Sequence, residues 1–146
     1  MNTQLLPATE ASLALAARLL AEGELVAFPT ETVYGLGADA TDAEAAKKIY
    51  AAKGRPSDNP LIIHIANPED AEKYAITNEY YYKLAEAFMP GPLTVILPKK
   101  DIIPDEVTGG LSTVAVRCPS HPIAHALIQT EELPIAAPSA NNSGRP

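Results

Sequence analysis

The chain has 146 residues, a length at which one hydrophobic core serves one domain. Apolar residues make up 47% of it, and 11 basic against 18 acidic side chains give a net charge of −7. That balance argues against non-specific nucleic-acid binding as the main work, the lone Cys118 excludes a disulfide framework, and no apolar run is long enough for a membrane span.

Leu13, Ala16, Ala17 and Leu20 recur at helical spacing and predict a helix over Glu10 to Glu22, capped by Thr9 and closed by Gly23. Glu24 to Phe28 reads as a short buried strand broken by Pro29. Thr41 or Asp42 can cap a second helix from Ala43 to about Ala52, with Gly54 as its stop. Leu61 to Ala66 is rich in isoleucine and strand-like, and Pro68 to Tyr74 and Asn78 to Phe88 read as helices. Leu93 to Leu97, Thr113 to Arg117 and Ile135 to Ala137 read as strands, with a helix over Pro122 to Gln129. Pro98 to Gly110 is expected to be irregular, a hairpin or a loop. Helices and strands mostly alternate, which gives an α/β fold with a partly parallel sheet. The 14 prolines stand singly at element boundaries, as punctuation rather than disorder. The N-terminus lacks the basic and apolar regions of a signal peptide, so a soluble cytoplasmic protein is expected.

Chemistry concentrates in a few places. Lys53-Gly54-Arg55-Pro56 follows the second helix and has two readings. The cations complement the helix C-terminal dipole, or, because Pro56 holds Arg55 extended, they flank a glycine turn and converge on a polyanion such as a triphosphate. Strand alternation puts Leu61, Ile63 and Ile65 on one face and Ile62 with His64 on the other. In the same way Val114 and Val116 oppose Thr113, Ala115 and Arg117. A histidine and an arginine on apolar strands need partners or a polar cavity, and the two together near strand ends favour a pocket for a carboxylate.

The run Pro29 to Gly37 follows a strand, and its glycines fit a turn where backbone approaches a ligand. It lacks the ending of a phosphate-binding loop, and Gly35-Leu36-Gly37 is weak as a dinucleotide signal. Ser139-Ala140-Asn141 offers a hydroxyl and an amide, in residue types that also form ordinary turns. His121 and His125 have zinc-like spacing without a third ligand nearby, and Cys118 lacks the partners of a nucleophile. Tyr80, Tyr81, Tyr82, Leu84, Ala85 and Phe88 read as helix packing, and Glu69, Asp70 and Glu72 as a solvated helix face.

Five stretches in one order carry a resemblance. They are Pro29-Thr-Glu-Thr-Val-Tyr-Gly-Leu-Gly37, Ala52-Lys-Gly-Arg-Pro-Ser-Asp-Asn-Pro-Leu-Ile-Ile-His-Ile65, Met89-Pro-Gly-Pro-Leu-Thr94, Val116-Arg-Cys-Pro119 and Pro138-Ser-Ala-Asn-Asn-Ser-Gly144. Together they resemble the Sua5/YrdC/YwlC family, which makes threonylcarbamoyl-adenylate for tRNA modification. The second stretch is closer to the Sua5 branch than to the shorter YrdC branch.

The resemblance implies an α/β fold, a YrdC-like twisted mixed sheet with flanking helices around a large open cavity. Residues 1–146 would be that domain with its C-terminal part missing, since the family's domain continues past Ser143-Gly144-Arg145-Pro146 and Sua5 proteins add a second domain. The implied reaction is that of an L-threonylcarbamoyladenylate synthase, a nucleotidyltransferase. It joins L-threonine, bicarbonate and ATP into the adenylate, with pyrophosphate and water released and Mg2+ arriving with ATP. The product would pass to a threonylcarbamoyl-transferase machinery acting on adenosine 37 of tRNAs that read ANN codons. By position in the motifs, Thr32, His64 and Arg117 would hold threonine, with backbone near Ala137. Lys53, Arg55, Asn59, Thr113, Ser139 and Asn141 would hold ATP. No side chain is implied as metal ligand or covalent nucleophile. His64 stands either as an orienter of the carboxylate or as a proton acceptor.

Two rival readings accompany this one. The first is the carbamoyl-adenylate-forming domain of hydrogenase maturation. The second is a nucleotide- or RNA-binding module without turnover, in which Lys53, Arg55, Arg117 and Arg145 form a local patch for a weak RNA contact.

Overall fold

A computed structural model describes residues 5, 7, 9–30, 34–54 and 60–138. Thr9 accepts a hydrogen bond from the Ser12 amide and starts α1 (Glu10–Ala21), and Gly23 then turns the chain with φ +89°. β1 (Val26–Pro29) and β2 (Tyr34–Asp39) pair antiparallel, with Val26 opposite Gly37 and Phe28 opposite Gly35. Asp42 accepts from the Glu44 and Ala45 amides to start α2 (Ala43–Lys53), which Gly54 closes in the left-handed region. There follow β3 (Ile62–His64), a 3-10 turn (Pro68–Lys73), α3 (Glu79–Phe88), β4 (Thr94–Pro98) and the one-turn α4 (Asp105–Thr108). β5 (Thr113–Arg117), α5 (Pro122–Glu131) and β6 (Ile135–Ala137) complete the described chain.

The six strands form one sheet in the order β1-β2-β6-β3-β5-β4. β3 and β5 run parallel and the other paired neighbours antiparallel, so the sheet is mixed. Each face has its own core. On one, α2, α3 and α4 bring Ile49, Tyr81 and Val107 over Ile63, Val116 and Ala136. On the other, α1 and α5 bring Leu20, Leu127 and Ile128 over Phe28, Ile135 and Ala137. Successive side chains of a strand point to opposite faces, and this puts Ala136 in one core and its two neighbours in the other.

Several expectations are corrected by packing. The glycine run before Ala38 is strand β2, not a turn: Gly35 and Gly37 lie under the Phe28 ring, with no positive φ at either. A Cβ on Gly37 would stand 2.5 Å from Ile135 Cγ2 and 2.7 Å from Phe28 Cε1. Gly37→Ala is therefore expected to cost about 1–3 kcal/mol through overpacking. Urea denaturation measures it, and an unchanged midpoint would show that the ring is not wedged there.

β1 is an edge strand rather than a buried one, with Ala27 exposed and Pro29 at its end, where a missing N–H is tolerated. Residues 98–110 are tied down rather than loose. Lys99 and Lys100 amides donate to the Ser112 and Tyr74 carbonyls, Leu61 donates to Val107, and Ile103 and Val107 are buried. The segment from Pro68 is a 3-10 turn in which Asp70 accepts from the Asn67 amide and pairs with Lys73 at 3.6 Å, so Asp70 is more than a solvated carboxylate. On α3 only part of the aromatic cluster packs. Tyr81 and Ala85 are buried, while Tyr80 is 78% exposed and Phe88 59%. Burial also pushes the Tyr81 phenol well above its usual range, and its hydroxyl donates to the Pro68 carbonyl at 2.6 Å.

Candidate functional site

Register joins five strands into one row. Asp39 of β2 pairs with Ile135 of β6, Ile135 with His64 of β3, His64 with Arg117 of β5, and Arg117 with Thr94 of β4. Register partners project to the same face of a sheet, from strands about 4.8 Å apart. His64 and Arg117 are therefore neighbours, on the face that also carries Ile135 and Ala137. Ile62, Ala115 and Ala137 form the next row, and Thr113 stands a row beyond Ala115, opposite Pro98. The sheet thus brings His64, Arg117, Ala137 and Thr113 to one face, which the alternation within each strand allowed and the register between strands decides. That face stays open over β4, where Thr94 and Pro98 are exposed and Ile96 is 69% exposed.

His64 is buried, at 3% exposure, and the Phe28 ring of β1 meets it edge to face at 5.8 Å and 84°. Its Nδ1 lies 3.1 Å from the Ile62 carbonyl oxygen and 3.2 Å from that of Ile135. Arg117 is half-buried at the end of β5, and its Nη2 donates to the Pro92 carbonyl at 3.1 Å. Asp39 in the same row is engaged by its own turn, accepting from the Thr41 amide and hydroxyl at 2.9 and 2.7 Å.

β3 and β5 begin at the end of the sheet where β6 finishes and β2 starts. Tyr34, Pro60, Thr113 and Pro138 accordingly gather at that end, and His64 and Arg117 lie at the other. Thr113 and Arg117, four residues apart on one strand, are separated by about 13 Å at the usual rise. Lys53 is exposed in the last turn of α2, where it complements the helix dipole. Thr32, Arg55, Asn59, Ser139, Asn141 and Arg145 lie outside the described residues.

Two further readings resolve. His121 caps α5, its Nδ1 accepting from the Ile123 amide, and among the described residues no group of three or more His, Cys, Asp or Glu could hold a metal. Cys118 is buried and directs its thiol to the Ala66 carbonyl at 3.3 Å. A cleft of about 350 Å³ opens elsewhere, between the 3-10 turn and the end of α5, lined by Ile65, Asn67, Asp70, Tyr74 and Glu132 among others. Its lining includes none of the candidate residues. No helix among the described residues is long and apolar enough to cross a membrane. The strand alternations gave no sign of Phe28 or of the carbonyls of Ile62, Pro92 and Ile135, because backbone acceptors and ring contacts depend on register between distant strands.

Comparison with known proteins adds to this geometry. The Sua5, YciO and YrdC family profile, described as "Telomere recombination", matches residues 18–146. Threonylcarbamoyl-AMP synthase of Pyrococcus abyssi is 60% identical over 133 residues, which are 90% of this chain and 39% of that protein. The Bacillus subtilis threonylcarbamoyl-AMP synthase is 56% identical over 146 residues, 99% of this chain and 42% of that one. The solved structure of P. abyssi Sua5 complexed with L-threonine aligns with a TM-score of 0.89 at 58% identity, covering 94% of this chain and 41% of that chain. The chain spans about two fifths of the length of these relatives.

Proposed function

The chain belongs to the Sua5/YciO/YrdC family, and from that premise we propose that it carries the substrate site of a threonylcarbamoyl-AMP synthase, a cytoplasmic nucleotidyltransferase. The observation that carries this reading is the His64–Arg117 pair, side by side in one row of the sheet, His64 buried and Arg117 beside the part of that face left open over β4. It stands in a fold whose P. abyssi relative was solved with L-threonine.

Arg117 takes the threonine carboxylate, for which a planar guanidinium is the fitting donor, and the Pro92 carbonyl on Nη2 fixes the plane of the fork. Thr32 and the backbone near Ala137 complete the threonine side. Thr113, about 13 Å along the strand, lies toward the nucleotide side with Lys53, Arg55, Asn59, Ser139 and Asn141. Lys53 acts there as a point charge and Arg55 as a fork on the triphosphate. Magnesium enters as part of the MgATP substrate.

The chemistry needs placement more than covalent help. Threonine's amine forms a bond to the bicarbonate carbon and water leaves. A carbamate oxygen then attacks the α-phosphorus, and pyrophosphate departs. The carbamate decomposes in water, so the protein's task is to hold it dry and in line. Alignment alone can remove about 7–11 kcal/mol of barrier. Cations on the transferring group contribute much of the rest. The adenylate would then serve a transferase that modifies adenosine 37 of tRNA.

Identity of 56–60% to threonylcarbamoyl-AMP synthases favours this reading over a carbamoyl-adenylate-forming domain and over a binding module without turnover. The test is incubation of the chain with L-threonine, isotope-labelled bicarbonate and MgATP. Threonine-dependent pyrophosphate release, with label entering a nucleotide product, is the expected result. Nucleotide binding with neither product would leave only a binding module.

A further inference from the structure

The cleft between the 3-10 turn and the end of α5 holds a polar group that the fold leaves without a partner. Tyr74 ends the 3-10 turn, lines the cleft and is only 6% exposed. Its backbone is engaged, the amide donating to Ala71 and the carbonyl accepting from Lys100. Among the described residues its hydroxyl makes no hydrogen bond, whereas those of Tyr50 and Tyr81 each donate to a backbone carbonyl. A buried phenol ordinarily finds such a partner, because leaving the bond unmade is costly away from water.

The charges around that hydroxyl are mainly negative. Burial raises the Tyr74 phenol above its usual range, and Asp70, Asp39 and Glu132 raise it further, so these carboxylates act at the phenol oxygen. Asp70 and Glu132 line the cleft with it, which places the hydroxyl on the cleft side of the ring. Glu132 holds its place at a backbone cost, ending α5 with φ +53° in the region where glycine is the common choice. Asp39 is occupied by the Thr41 amide and hydroxyl, and Asp70 accepts from the Asn67 amide and pairs with Lys73 at 3.6 Å. Lys73 is the single cation among the described lining residues, and its side chain is 60% exposed. Beneath these groups Ile65 and Ile128 give the cleft an apolar floor.

We propose that this cleft binds a small organic amine as its ammonium ion, held by the Tyr74 hydroxyl oxygen and the carboxylates of Glu132 and Asp70. An ammonium brings only donors and a positive charge, and the phenol oxygen and both carboxylates accept. An anion would meet the carboxylates instead. The apolar floor carries the body of an organic amine, a contact that a hydrated inorganic cation does not make. At about 350 Å³ the cleft has the size of a small-molecule site. Lys73 competes for Asp70 and yields readily, since an exposed ion pair contributes little. None of these residues is assigned above to threonine or ATP, so the inference does not rest on that reading.

The experiment titrates phenethylamine into the 146-residue chain near neutral pH and follows backbone amide shifts. Phenethyl alcohol and 3-phenylpropionate present the same body uncharged and anionic. Saturable binding of the amine is expected, with shifts centred on Asn67, Lys73 and Gln129. Its affinity should exceed that of either control about tenfold or more, the worth of one hydrogen bond to a charged group. Tyr74→Phe removes a hydroxyl unpaired in the free protein, so the thermal midpoint should not fall while affinity drops about fivefold. Glu132→Gly relieves the left-handed strain and is expected to weaken binding about tenfold without loss of stability. Lys73→Gln is expected to tighten binding. Equal affinity for amine and alcohol, or parental affinity in both Tyr74→Phe and Glu132→Gly, would overturn the recognition of an ammonium. Absence of saturable amine binding, or shifts centred away from the cleft, would overturn the site itself.

Discussion

Arg117→Ala is expected to lower threonine-dependent pyrophosphate release by about 10²–10³-fold, the range seen when a preorganised electrostatic contact is removed. The residue closes β5, and its side chain is half-buried with Nη2 on the Pro92 carbonyl, so the fork is oriented before substrate arrives. Lysine would supply charge without the two parallel donors, and Arg117→Lys is accordingly expected to recover only a minor part of the rate. The loss should appear in the threonine KM as well as in kcat, and the thermal midpoint should change little because the strand's buried positions are Val114 and Val116. Steady-state kinetics with threonine varied at saturating MgATP separates these terms. An Arg117→Ala chain within about threefold of the parent rate would remove Arg117 from the threonine site.

The other large effect is on stability. Ile63 is fully buried, faces the core beneath α2 and α3, and has Val116 and Ala136 as register partners. Ile63→Ala is expected to cost about 2–5 kcal/mol, transfer and cavity terms together. Against a total of about 5–15 kcal/mol for a domain, that is a large share. Denaturant melts should show a lower midpoint with an unchanged slope. A cost below about 1 kcal/mol would mean that the site collapses around the smaller side chain. The next residue, His64, belongs to the opposite face, and this pair of neighbours separates folding from chemistry on a three-residue strand.

How much of this could be read from the sequence varies by residue. Period-two alternation assigned His64 away from Ile63, and Arg117 with Thr113 away from Val114 and Val116; burial on β5 follows that assignment, whereas on β3 both Ile63 and His64 are buried. Caps at Thr9, Asp42 and Gly54 were equally legible because each acts on its own helix within three or four residues. What escaped was set by distant partners. Gly35 and Gly37 carry local signals of a turn, yet the Phe28 ring and Ile135 make them strand positions. Residues 98–110 look irregular alone and are held by Tyr74, Leu61 and Ser112. The row that unites His64 with Arg117 depends on a parallel register between strands separated by two helices and a strand, which no local periodicity encodes. Thr32, Arg55, Asn59, Ser139 and Asn141 rest on motif resemblance, and the described residues do not include them.

The carbonyl of Ile135 that steadies the His64 ring comes from 71 residues further along the chain. Contacts of such long range are among the slowest to form, since a large loop must close first. During synthesis β3 and its histidine therefore emerge well before the strand that orients them. A nascent chain stopped short of β6 would hold the imidazole without one of its two tethers. The orientation of this buried ring thus marks a finished fold, because the carbonyl of Ile135 is in place only once β6 has paired with β3.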